Sequence, residues 1–317
     1  MQRGPIFEKS YKPQFSGHET FPVRYGWLKK AFDRVAETET DSNNRTLCWG
    51  DDAIARFGVG KNMVSAIRHW AKIMGVIDEP STNTVTTTEF GRHIFGDQGL
   101  DPFMENPASL WLLHWKLASF PQKTLWYWVF GYYPAQYFER ADLIQQADRL
   151  ITKREWSPVA PKTLTNDVAC FIRTYVASNR TSKLNQDDVL ESPLIELGLI
   201  KSTDRSDGFR FARGAKPSLG NGVFAYALID FWSRYSETQT LSFEVIAHEP
   251  GSPGRVFQLD ENDVIDRLVA IETSTEGLIE WSETAGLKQV VRTSELDIES
   301  ALKFTVVDFE FRKWEAA

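Results

Sequence analysis

The stretch Asp51-Asp-Ala-Ile-Ala-Arg-Phe-Gly-Val-Gly-Lys-Asn-Met-Val-Ser-Ala-Ile-Arg-His-Trp-Ala-Lys-Ile-Met-Gly75 decides how the N-terminal part of the chain is read. Two short helices around a glycine-bearing turn form the pattern of a helix-turn-helix. From Lys61 to Met74 the apolar residues Met63, Val64, Ile67, Trp70, Ala71 and Met74 recur at helical spacing and define one buried face. Lys61, Ser65, Arg68 and Lys72 then fall on the other. Asp51 or Asp52 is placed to cap the first helix, and Gly58 and Gly60 supply the permissive backbone of a tight turn. Beyond Gly75, the pair Val76-Ile77 and the β-branched run Thr84–Thr88 predict a wing hairpin, closed by a helix over Thr88–Phe95.

The exposed face of the second helix suits a nucleic-acid groove. Lys61 and Lys72 carry charge for phosphate, and Asn62, Ser65, Arg68 and His69 have the donors and acceptors that read base edges. The competing reading is a winged-helix unit used for dimerisation or scaffolding, with these charges simply solvated. Double-stranded DNA is the partner this face is expected to meet.

At 317 residues and 42% hydrophobic content the chain can bury substantial cores, enough for two or three domains. Trp111, Trp115, Trp126, Tyr127, Trp128, Phe130, Tyr132, Tyr133, Tyr137 and Phe138 fall in one segment, read first as a large helical core and only second as a base-stacking platform. Cys48 and Cys170 form no CxxC, so neither a zinc site nor a disulfide framework is indicated. No signal-like apolar core opens the chain, and no run of about 18 uncharged apolar residues occurs. A cytoplasmic protein without a membrane partner is expected.

The net charge of −7 is unevenly spread. Residues 241–317 hold seven Lys+Arg against 16 Asp+Glu, which leaves 29 against 27 for residues 1–240. An acidic module repels phosphate, so DNA is assigned to the first 240 residues and a protein partner, or a metal, to the end.

The fold class expected is mostly α (α+β) and multi-domain. An N-terminal winged helix-turn-helix domain spans 1–102, a helical domain 103–240, and a small acidic α+β domain 241–317. Within the middle part, Asp187–Ile200 followed by Gly208-Phe-Arg-Phe-Ala-Arg213 repeats the rhythm of helix, glycine, apolar pair and basic hairpin, a plausible second winged unit. Arg210, Arg213 and Lys216 on that hairpin could add phosphate contacts. In the last part, Leu241–His248 reads as a strand, Asp263–Ile271 as a helix, and Leu278–Trp281 with Leu287–Arg292 as a hairpin.

Phe15-Ser-Gly-His-Glu-Thr-Phe-Pro-Val-Arg-Tyr-Gly-Trp-Leu-Lys-Lys30, together with Phe57-Gly-Val-Gly-Lys-Asn-Met-Val64 and Ile67-Arg-His-Trp70, resembles a bacterial domain-of-unknown-function family found beside DNA phosphorothioation genes, the family to which the Ssp-system nicking protein is similar. The resemblance is specific over roughly residues 15–95 and rests on length and helical layout beyond them. It implies a DNA-binding protein of a sulfur-modification and phage-defence system, working with other phosphorothioation proteins. It also implies a strand-nicking endonuclease activity that would draw on Mg²⁺ or Mn²⁺. The alternative is a non-catalytic DNA-binding adaptor or regulator that recruits sulfur-transfer partners. No catalytic residue comes with the resemblance.

The chain's own nuclease signals are faint. His114-Trp-Lys116 begins an HxKxxxxD pattern that fails at Pro121, the Gly60-Lys61 pair lacks the rest of a phosphate loop, and there is no HExxH. Period-two alternation in Val307–Arg312 would line Asp308, Glu310 and Arg312 on one strand face, better explained as a solvated edge. His18 beside Glu19 is the remaining catalytic candidate, since a His next to a carboxylate can serve as acid, base or ligand. Against it stands a His18 that merely braces the first helix.

Overall fold

The computed structural model describes residues 4–177, 191–204, 207–284, 286–295 and 297–310. Among these residues helices dominate, accompanied by three small sheets of two, three and three strands. The chain divides into two compact units: one of Met1–Glu105, Gln122–Leu125 and Tyr137–Arg210, the other of Asn106–Pro121, Trp126–Gln136 and Phe211–Ala317.

The first unit opens with α1 (Trp27–Thr38), α2 (Asn44–Trp49), α3 (Ala53–Phe57) and α4 (Lys61–Ile73). Trp27, Leu28, Ala31, Phe32 and Val35 give α1 an apolar stripe, and α4 packs on it with Val64, Ala66, Ile67, Trp70 and Ala71. Asp52 is the N-cap of α3, but its carboxylate makes no capping bond; the turn instead relies on Gly58, left-handed at φ 65°. Strands β1 (Ile77–Asp78) and β2 (Thr86–Thr87) pair antiparallel, with Ile77 opposite Thr87. The Asn44 amide extends this ribbon, donating to Val85 O at 2.7 Å and accepting from Val85 N at 2.8 Å. Helix α5 (Glu89–Phe95) follows, capped by the Thr88 hydroxyl, which accepts from Gly91 N at 2.8 Å.

The next helices are α6 (Pro107–Ala118), α7 (Thr124–Tyr132), α8 (Arg140–Lys153) and α9 (Pro161–Tyr175), with β3 (Tyr137–Glu139) between α7 and α8. Strands β4 (Ile200–Ser202) and β5 (Gly208–Phe211) complete a sheet of order β3-β5-β4, in which Phe138 lies opposite Phe209. Of the helix expected from Asp187 up to Gly198, residues through 190 lie outside the described residues. The rest is a single 3-10 turn, Pro193–Leu197, because Pro193 opens it and Gly198, left-handed at φ 58°, ends it.

In the second unit α6 and α10 (Asn221–Tyr235) form the core. Every residue of α6 except Lys116 is buried, as is all of α10 from Gly222 to Trp232. The tryptophan-rich segment is therefore core, with Trp111, Trp115 and Trp126 fully covered. Asp230 supplies the polar contact this core needs, accepting from Trp115 Nε1 at 2.7 Å and from Arg234 Nη2 at 3.1 Å. The remaining elements are β6 (Thr240–Ser242), α11 (Phe243–His248), α12 (Pro253–Val256), α13 (Glu261–Val269), α14 (Ile271–Ser274), β7 (Ile279–Thr284), β8 (Leu287–Arg292), α15 (Ile298–Ala301) and α16 (Val306–Glu310). The last sheet has the order β6-β8-β7.

Two expectations are corrected here. Leu241–His248 is a strand only to Ser242; from Phe243 it is helical, because the Ser242 hydroxyl accepts from Val245 N and Phe243, Ile246 and Ala247 share a buried face. The strand expected over Val307–Arg312 is α16 as far as it is described, and Arg312 lies outside the described residues. Asp308 does not stand on a solvated edge. Its carboxylate accepts from Val223 N at 2.6 Å and Gly222 N at 3.3 Å, capping α10, and burial raises its pKa. Gly222 is required there, since a Cβ would stand 2.0 Å from Phe304 O.

The element order strand, helix, helix, hairpin occurs twice among the described residues, as β3-α8-α9-β4-β5 with the 3-10 turn Pro193–Leu197 before the hairpin, and as β6-α11-α13-β7-β8 with the short α12 and α14 on either side of α13. In both, the leading strand pairs with the last strand of the hairpin. The N-terminal stretch α3-α4-β1-β2 has the same order without a leading strand.

Candidate nucleic-acid interface

Helix α4 starts at Gly60, an N-cap of extended conformation, and buries its apolar stripe on α1, so the opposite face is set toward solvent. Lys61, Asn62, Ser65 and Lys72 are exposed there; Arg68 and His69 are half-buried. The hairpin supplies one carboxylate to this face. Glu79, just past β1, accepts from Arg68 Nε at 2.5 Å and Nη2 at 2.9 Å, and from Lys72 Nζ at 3.0 Å. Its side chain is only 7% exposed. Burial alone would raise its pKa, but the Arg68 and Lys72 hydrogen bonds win and hold it at about 2. Two cations and one carboxylate leave a single net positive charge at this end of the helix.

His69 is turned partly inward, toward the loop that holds Gly17. It packs edge-on to Trp70, with ring centroids 5.3 Å apart, and against Gly17. A Cβ on Gly17 would lie 2.6 Å from the imidazole, and its φ of +93° also favours glycine. Burial, with Lys123 and His18 adding to it, pushes the His69 pKa down to about 3, so this ring is uncharged at neutral pH. A recess of about 310 Å³ opens beside the helix, lined by Gly17, Trp49, Val64, Ser65, Arg68, His69, Lys72 and Glu79. Two atoms of its lining side chains, Trp49 Nε1 and His69 Nε2, are buried without a hydrogen-bond partner among the described residues.

His18 and Glu19 do not converge. Glu19 is exposed, and His18 is turned inward at 2% exposure with both ring nitrogens engaged. The Thr20 N–H donates to Nδ1 at 3.0 Å, which makes Nε2 the protonated nitrogen, and Nε2 donates to Asp167 Oδ1 at 2.7 Å. The same oxygen accepts from Lys123 Nζ at 2.8 Å and from Ser16 N at 3.1 Å. Lys123 also donates to Ser16 O at 2.8 Å. Burial opposes the Asp167 charge, yet Lys123 and His18 keep its pKa below the usual carboxylate range. The hub thus ties the Ser16–Thr20 loop down, and the loop is strained: Ser16, Glu19 and Thr20 have φ of 68°, 48° and 68°.

Of the hairpin residues, Arg210 is exposed on β5 in the first unit, and Arg213 is exposed in the second. Lys216 is buried, its ammonium donating to the carbonyls of Ala212, Gly214 and Gln258. It has no phosphate to offer a bond to from there. Among the described residues no group of three or more His, Cys, Asp or Glu side chains could hold a metal ion. Sequence reading missed Glu79, Lys123 and Asp167. The only signal for Lys123 was a lysine set before the apolar run Leu125–Phe130, and none pointed to Asp167.

A family model described as a protein of unknown function, DUF4007, matches residues 15–305. The chain belongs to this family. A magnesium-ion-bound crystal structure of SspB is 30% identical with a TM-score of 0.82, over 99% of this chain and 92% of that one. A second SspB crystal structure is 29% identical with a TM-score of 0.81, over 98% and 96%. No curated protein matches. The resemblance drawn from Phe15–Lys30 and the α3–α4 turn thus extends over the whole family match, and this family member is SspB-like. No described helix is long and apolar enough to cross a membrane.

Proposed function

We propose that this family member is a cytoplasmic, DNA-binding protein of a bacterial DNA phosphorothioation and phage-defence system, meeting duplex DNA with the exposed face of α4. The observation that carries the reading is that face itself. Lys61, Asn62 and Ser65 stand free at the start of a helix that follows a glycine turn, and Arg68 and Lys72 continue the row under the hairpin. In this reading α3-α4-β1-β2 is a winged helix-turn-helix, and Glu79 holds the cations extended until phosphate competes for them.

The three-part division at residues 102 and 240 is proposed as one of function rather than of compact units. DNA lies on the first 240 residues, and the acidic 241–317 segment meets another protein of the system. Binding of a labelled duplex across a salt series tests the reading. A Kd that weakens steeply with salt supports it, and absence of binding at low salt ends it.

A second reading, metal-dependent strand nicking, is favoured by the magnesium ion in the similar SspB structure. The described residues of this chain bring no three or more His, Cys, Asp or Glu side chains together for such an ion, and no cleavage step is assigned to them. Supercoiled plasmid incubated with the protein and Mg²⁺ or Mn²⁺ separates the two. Relaxed circles abolished by EDTA support nicking, and binding without relaxation supports an adaptor.

A further inference from the structure

The sequence places a nucleic-acid face on α4 and added phosphate contacts on the hairpin around Arg210, but none on the helix before that hairpin. We infer that α9 is a second DNA-contacting helix, locked in fixed register to α4 by the loop Ser16–Phe21. This rests on the DNA-binding reading above.

Helix α9 holds the position in β3-α8-α9-β4-β5 that α4 holds in its own unit: the second helix of a pair, followed by a hairpin. Its solvent face keeps the cations at the two ends of the α4 row, with Ala169 where α4 has Arg68. Counting from Lys61, the row continues four, seven and eleven residues on with Ser65, Arg68 and Lys72; counting from Lys162, the same offsets give Asn166, Ala169 and Arg173. Lys162, Thr165 and Arg173 are exposed, and the helix's one carboxylate, Asp167, is fully buried on the opposite side. Among the described residues the exposed charges of the hairpin balance, Lys201 and Arg210 against Asp204 and Asp207, so the cations of this face are those on the helix itself. On α13, which holds the corresponding place in the third such unit, the exposed residues are Glu261, Asn262, Asp266 and Val269. Charge therefore separates α4 and α9, which suit phosphate, from α13, which repels it.

The loop binds both helices. Toward α9, Ser16 N and His18 Nε2 donate to Asp167, and Arg173 donates to Thr20 O. Toward α4, Trp70 Nε1 donates to Phe21 O at 2.9 Å, the His18 and Trp70 rings stack at 6.1 Å, and Gly17 lies against His69. Ser16, Gly17, His18, Thr20 and Phe21 thus fasten the two helices, through a buried His18–Asp167 bond and part-buried or exposed contacts around it. Two helices fixed this way present two phosphate-facing rows at constant spacing, as a rigid two-site reader requires.

The test compares wild type with Lys162→Ala/Thr165→Ala and with Lys162→Glu, all exposed positions, in duplex-binding titrations at several salt concentrations. Unchanged melting temperatures show that the fold is kept. The expected result is at least fivefold weaker binding for the double variant, a larger loss for Lys162→Glu, and a salt slope shallower by about 0.9 for each cation removed. Wild-type binding with both variants unchanged overturns the α9 assignment and leaves α4 standing. Absence of wild-type binding removes the DNA reading itself, and this inference with it.

Discussion

Replacing Glu79 with Gln is the sharpest probe of the α4 face, because it changes charge without trimming either cation. With its pKa held at about 2, Glu79 is fully ionised at neutral pH and offsets one of the two charges on Arg68 and Lys72. The substitution raises the local balance from one net positive charge to two. If both cations face DNA, one more counterion is released on binding and the log–log salt slope steepens by about 0.9. Between 50 and 200 mM salt the variant then loses about 3.5-fold more affinity than wild type. At the low-salt end it binds more tightly. The folding cost is the loss of charge-assisted hydrogen bonds to a covered carboxylate, roughly 1–3 kcal/mol, offset in part because the Gln oxygen still accepts from Arg68. Fluorescence anisotropy on a duplex across that salt range, with a thermal melt alongside, measures both effects. An unchanged or shallower slope with the fold intact would refute the reasoning, since Arg68 and Lys72 would then lie off the DNA path. The sign for stability is also set. A carboxyl held below its ordinary value of 4.5 stabilises above pH 4.5, and that contribution is lost as pH falls toward 2, a component the Gln variant lacks.

Asp167→Asn strips the charge from a hub that includes the buried Lys123 ammonium, so a loss of about 3–5 kcal/mol is expected in urea unfolding; less than 1 kcal/mol would mean the hub relaxes freely. Gly17→Ala combines a left-handed φ with a clash against His69, and about 1–3 kcal/mol should be lost, with near-native stability the refuting result. Burial lowers His114 to about 4 and His69 to about 3 from 6.5, so both are proton-poor in the folded state. Stability should therefore fall as pH drops below 6.5, by up to roughly 1.4 kcal/mol per pH unit for each imidazole. His114→Gln, which keeps a donor for Val256 O, should make that decline shallower; an identical pH profile would count against it.

The helices were legible where apolar spacing is long and regular. Lys61–Ile73 declares itself by its buried stripe, Asn221–Tyr235 by a long apolar run that is buried on all sides, and Gly58 marks its own turn. Short apolar runs were not legible. Phe243–His248 and Val306–Glu310 alternate well enough to pass for strands, and only a cap, Ser242 in one case and a packed partner in the other, makes them helices. The candidate face on α4 could be read because it lies within one helix. Its electrostatics could not, because Glu79 reaches Arg68 only through the fold of the hairpin.

By itself the sequence determined the helix-turn-helix pattern, the aromatic core, the acidic last quarter and the family. Each of these depends on local spacing or on composition. Tertiary structure alone decided the role of His18. A His beside a Glu reads as an acid–base pair, but the backbone of Ser16–Thr20 turns the ring inward onto Asp167, 149 residues away. Nδ1 finds its partner locally in Thr20 N, whereas the partner of Nε2, Asp167, is brought near only by packing α9 against the loop.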